Sequence, residues 1–239
     1  MARKLCSVAR SLFLTACLSW VLTSCATMGV PSTWSYTAPT ETTVVNSITL
    51  VKEPSKVWDE LVEDLATTFY VINNIDKESR LLNVSFSETN APSTYVDCGE
   101  ATRTYEYKGD ETRYEYPVSD SNAYKFNSGL LADRFYTSVV RSSSLEGRAN
   151  IYVAPNPTGG TIVTVNSRYI WKVSLTVTEM MYFGESAMLR PGFQPQTLPP
   201  ITVGLNTNKP GFYEDPNGLG TIYCVGTGVF ETAILDILR

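Results

Sequence analysis

The chain contains no histidine. That excludes Ser-His-Asp and Cys-His catalysis and histidine-bearing zinc sites, and it removes the usual general base near neutral pH. Cysteine is sparse and uneven: of five, Cys6, Cys17 and Cys25 fall near the start, leaving only Cys98 and Cys224. Two thiols cannot build a Cys₄ zinc site, and no CxxC redox motif exists. Charged residues make up only 18%, and no apolar run reaches the roughly 20 residues that a spanning helix needs. Basic residues are outnumbered, for a formal net charge of −5. An acidic body disfavours nucleic acid and polybasic adsorption to anionic lipid. The carboxylate pairs Asp59/Glu60, Glu63/Asp64 and Asp76/Glu78 fall on the outer face of an expected helix or in a turn, where solvated charge is expected rather than glycoside hydrolysis. The sequence therefore reads as a non-enzymatic protein with no cofactor and no metal.

What is present begins with an address. Arg3, Lys4 and Arg10 are the only charges in the first forty residues, and they precede an apolar stretch from Leu12 to Leu22. A basic start and a short apolar run make a secretory signal. The run ends in Leu22-Thr23-Ser24-Cys25, which resembles the lipobox of bacterial lipoproteins. The resemblance implies that residues 1–24 are removed and that Cys25 is acylated as the mature N-terminus. Two or three acyl chains, at about 0.8 kcal/mol per buried CH₂, hold a protein to a membrane durably. Ala26 stands where an aspartate would retain the protein at the inner membrane. By resemblance to the sorting rule of enteric bacteria, that implies the outer membrane, with the domain facing the periplasm. Residues 25–42 are rich in Ser, Thr and Pro and read as a flexible lipidated tether, in which Trp34 and Tyr36 either pack on the domain or rest at the membrane.

Residues 43–239 read as one α+β domain. Cys98 and Cys224 form an even pair in an oxidising compartment and are expected to be a disulfide, the alternative being two buried thiols. Residues 43–51 alternate as a strand. Pro54 then opens a helix whose stripe is Val57, Trp58, Leu61, Val62, Leu65, Ala66 and Phe69. Strands are expected at 69–75, 81–87, 147–154, 161–178 and 221–225. Residues 189–216 read as a Pro-rich surface loop, and a last helix carries Val229, Phe230, Ala233, Ile234, Ile237 and Leu238. Gly226-Thr227-Gly228 lacks the third glycine of a dinucleotide fingerprint and reads as a strand-to-helix turn.

Val57-Trp58-x-x-Leu61, followed by Phe69-Tyr70-Val71-Ile72 and Asp76-x-x-Ser79-Arg80-Leu81-Leu82, resembles the helix-grip domains of BamC-type outer-membrane lipoproteins. The resemblance implies an antiparallel sheet with both helices on one face. Residues 90–145 depart from such a unit as an insertion. Within it, Arg103, Tyr105 and Tyr107 share one face of a strand, and Tyr114 and Tyr116 one face of its return. Those four tyrosines read as a docking surface for an envelope partner, or else as a cover for the domain's own sheet. The expected function is a membrane-held binding or assembly module; the alternative is a carrier of a small apolar ligand beneath a helix.

Overall fold

The structure is a computed structural model and describes residues 32–127, 134–216 and 220–239. The leader 1–24, Cys25 and the first part of the tether lie outside these residues. The first half of the chain supplies β1 (Trp34–Thr37), β2 (Ser47–Leu50), α1 (Pro54–Leu65), β3 (Val71–Asp76) and β4 (Leu81–Glu88). Then come β5 (Val96–Asp97), β6 (Glu100–Tyr107), β7 (Asp110–Pro117), β8 (Asn122–Phe126) and the long β9 (Phe135–Pro155). The second half is β10 (Thr161–Phe183), β11 (Ser186–Leu189), β12 (Gln196–Thr197), β13 (Ile201–Asn206), β14 (Gly211–Glu214), β15 (Thr221–Gly226) and α2 (Val229–Asp236).

β9 and β10 are the spine. They pair antiparallel from Thr161↔Pro155 to Met181↔Phe135. Leu145, Ala149, Ile151 and Val153 are buried along β9, as are Val163, Val165, Tyr169, Trp171 and Val173 along β10, while Glu146, Arg148 and Asn150 face out. That is the two-residue period of a sheet with one covered face. β4 and then β8 line the outer edge of β9, and β3 closes the sheet beside β4. The outer edge of β10 takes β2, β13, β12 and β11 in succession.

Both helices join one core with the inward face of this sheet. Pro54 sits in the first turn of α1, where its missing N–H costs nothing. Val57, Trp58, Leu61 and Leu65 are its buried stripe, each contributing about 1.5–3 kcal/mol of apolar burial. The Thr67 and Thr68 hydroxyls donate to the carbonyls of Asp64 and Leu65 and end the helix. Phe69, counted in the stripe from sequence, lies beyond that end and is exposed. Asp59 and Glu60 face water and meet Lys77 and Lys52. Gly228 opens α2 with φ of 82°, and a Cβ there would meet the Val44 side chain at 3.0 Å. Phe230, Ile234 and Leu235 then join Leu82, Val84 and Ile151 in the core. At Gly147 the Phe86 ring lies where a Cβ would stand, 2.1 Å away. Cys98 and Cys224 are bonded and fully buried, tying the chain before β6 to β15.

The fold is thus α+β and mainly antiparallel, with corrections to the sequence reading. Residues 189–216 are not an irregular loop: they hold β12, β13 and β14. The prolines at 191, 195, 199, 200 and 210 flank these strands without interrupting a ladder, and Val203 and Leu205 alternate into the core. The tether reading over 25–42 also fails in part, because Trp34–Thr37 pairs with β6. The Tyr36 hydroxyl donates to the Tyr223 carbonyl and accepts from its N–H. The segment 90–145, read from the sequence as an insertion, supplies β5 to β8 and the first part of β9.

Candidate functional site

β6 and β7 form a hairpin whose two-residue turn, Lys108-Gly109, has positive φ at both positions, as the favoured twist demands. Its register sets Tyr105 opposite Thr112, Tyr107 opposite Asp110, Arg103 opposite Tyr114 and Ala101 opposite Tyr116. The tyrosines of the two strands therefore do not face one another. They turn onto the spine: Tyr105 packs on Tyr136, Tyr107 stacks on Tyr182 at 3.9 Å, and Tyr114 and Tyr116 meet Tyr124. Tyr105 and Tyr116 are each only 4% exposed, while Tyr107 and Tyr114 are half-buried. As a set, the four tyrosines pack on the domain's own strands, the second of the two readings that the sequence left open.

Two arginines complete that layer. The Arg103 guanidinium lies over Phe126 at 4.4 Å and over Tyr124 at 5.3 Å. Tyr124 stacks on Tyr116, and Arg141 lies over Tyr116 at 5.2 Å. The result is an alternating ladder of Phe126, Arg103, Tyr124, Tyr116 and Arg141, in which each cation–π contact contributes about 0.5–2 kcal/mol. Arg141 Nη2 donates to the Val118 carbonyl at 2.7 Å. The Nε atoms of both arginines are buried without a hydrogen-bond partner. No ion pair among the described residues involves either guanidinium.

Arg103, Tyr124, Tyr116 and Arg141 of this ladder floor a cleft of about 360 Å³. Trp34 of β1, Ile201 of β13, Tyr213 of β14 and Ile222 of β15 form its walls, and Asp215 lies at its rim. The disulfide and the Tyr36–Tyr223 bonds hold the elements that carry these walls. Burial pushes the Tyr116 hydroxyl up to about 12, with neighbouring Tyr124 adding to the rise and the two guanidiniums opposing it. Burial and nearby Tyr95 lift Tyr70, in the helix-side core, to about 12.

Raised tyrosine values have a defined sign. Both groups favour the folded state below their ordinary value near 10, and that contribution disappears as pH rises through 12. An alkaline titration following tyrosinate absorbance should show a late-titrating fraction that ionises together with unfolding. A single step near pH 10 in the intact protein would contradict this.

Arg103 was visible in the sequence as a face-mate of the tyrosines, though not as a binding residue. Arg141 was missed. Its signal is a charge at an inward-facing position of β9, in phase with Val139, Ser143 and Leu145. Among the described residues no cluster of three or more Cys, Asp and Glu side chains could hold a metal ion. No protein-family model, curated protein or solved structure matches the chain.

Proposed function

We propose that this chain is a lipid-anchored binding module of a bacterial envelope, held at the outer membrane through Cys25, with the cleft over Arg103 and Arg141 as its contact site. The observation that carries the binding reading is that cleft. It has aromatic and aliphatic walls and charged groups on its floor, and it offers no histidine to serve as a base. Kinship with the helix-grip domains of BamC-type lipoproteins belongs to the same proposal, supported by the order strand, helix, strand, strand and by a C-terminal helix in the same core.

The membrane reading has support beyond Leu22-Thr23-Ser24-Cys25. At the far end of the spine Phe183, Met188, Leu189 and Phe193 are exposed. Ser32 donates to the Asn127 carbonyl at that same end, where Phe126 pairs with Thr137 and Tyr107 stacks on Tyr182. Ser32 is seven residue steps from Cys25, a reach of at most about 25 Å. An acylated Cys25 would therefore bring this apolar end toward the bilayer.

One experiment tests anchor and cleft together. A photo-reactive residue is placed at Trp34 or Ile222 in cells fed labelled palmitate. The chain with Cys25 intact should incorporate label, fractionate with membranes and yield light-dependent adducts at the cleft positions. Cys25→Ser should abolish the label and release the protein to the soluble fraction. Unlabelled protein, or adducts no more frequent than at fully exposed Val51, would overturn the reading.

A further inference from the structure

The geometry points to a site for a small organic anion, with a carboxylate or phosphate head met by Arg103, Arg141 adding positive potential to the same cleft, and an apolar or ring-bearing body against Trp34, Tyr213 and Ile222. This rests on the reading of the cleft as a binding site and adds the chemistry of what it binds.

The argument begins with a cost. Removing an arginine from water is expensive, and proteins offset it with a carboxylate or a full set of acceptors. Arg141 is only 7% exposed, yet among the described residues it has one carbonyl acceptor, one aromatic face, a buried unpartnered Nε and no counter-carboxylate. Arg103 has two aromatic faces and a buried unpartnered Nε, and among the described residues its side chain makes no hydrogen bond or ion pair. Both guanidiniums line the cleft against aromatic rings, and among the described residues the Arg103 guanidinium nitrogens and the second Nη of Arg141 have no hydrogen-bond partner. A planar guanidinium fork without an anion matches carboxylate and phosphate geometry, which a lysine ammonium does less well.

The surroundings agree. Asp215 at the rim has a partner of its own and is paired with neither guanidinium. In a chain of net charge −5, two guanidiniums without an ion pair that line one cleft concentrate positive potential where a ligand would lie. The walls are mostly aromatic and aliphatic, so a bare inorganic ion would leave them empty. A cleft of about 360 Å³ is at the small end of organic-ligand sites.

The test titrates the full chain, purified in a nonionic detergent, with benzoate, phenyl phosphate and benzyl alcohol, read by calorimetry and tryptophan fluorescence. At least one of the two anions should bind at least about tenfold tighter than the alcohol, and their ranking identifies the head group. Arg103→Gln should weaken the anion by at least about tenfold, Arg103→Lys should restore part of the loss, and Arg148→Gln on the solvated face should change nothing. Arg103 is only partly buried, so its variants test the proposal even if Arg141→Gln does not fold. Equal binding of benzoate and benzyl alcohol, or anion binding unchanged by Arg103→Gln, overturns the anion assignment while the cleft stands as a site. No response to any probe also overturns it, and the crosslinking result alone then judges the module.

Discussion

Urea denaturation of the chain carrying both Cys98→Ala and Cys224→Ala is expected to show a loss of about 4–5 kcal/mol, the largest effect of any change made away from the cleft. The bonded residues are 126 apart in sequence, and closing so long a loop removes much of the freedom of the unfolded chain. Both sulfurs are fully buried, so alanine leaves no polar orphan and the loss reads mainly the missing crosslink. The denaturant slope should rise as well, because an uncrosslinked unfolded chain exposes more surface. The bond also reaches the cleft. Cys224 lies in β15 between Ile222, a cleft wall, and the turn into α2, while Cys98 precedes the strand that carries Arg103. The double variant should therefore respond weakly to benzoate even below its unfolding midpoint. An unchanged midpoint and slope would show that the bond constrains nothing.

Trp171→Ala should cost about 3–5 kcal/mol, lowering the melting temperature by roughly 10 °C for a domain of this size. The indole is fully buried at the middle of β10, and its N–H donates to the Ser119 carbonyl at 2.8 Å and to the Ser143 hydroxyl at 2.7 Å. Removing it opens a cavity and withdraws a donor from two buried acceptors. Trp171→Phe keeps most of the packing and should cost only about 1–3 kcal/mol, which separates the two terms. The segment held by the indole includes Val118, whose carbonyl fixes Arg141, so the alanine variant should also loosen the ladder. A cost below about 1 kcal/mol for Trp171→Ala would contradict the placement of the indole.

Elements whose pattern is local were legible in the sequence. Val57, Trp58, Leu61 and Leu65 declare α1 by spacing, and the parity of Val163, Val165, Tyr169 and Trp171 declares the inward face of β10. Elements made by distant partners were not. β12 and β13 are short pieces within a proline-rich stretch, and they become strands only because β10 offers them an unpaired edge. The first part of β9 was hidden because Arg141 and Ser143 occupy inward positions, which broke the apolar alternation. Arg141, which helped to obscure the strand, is part of the floor of the cleft. The sequence showed Arg103 beside its tyrosines, but no local pattern says that Arg141 arrives at the same layer from β9.

The order in which partners leave the ribosome follows from this topology. β1 must wait for β6, β2 for the start of β10, and Cys98 for a sulfur that is synthesised 126 residues later. Emerging chain can zip the β9–β10 ribbon from its tight bend as soon as that stretch appears, but the early segments have nothing to close on until then. Closure of these contacts is therefore late in the chain's history, and the N-terminal strand is among the pieces that cannot lock down until its distant partner has been made.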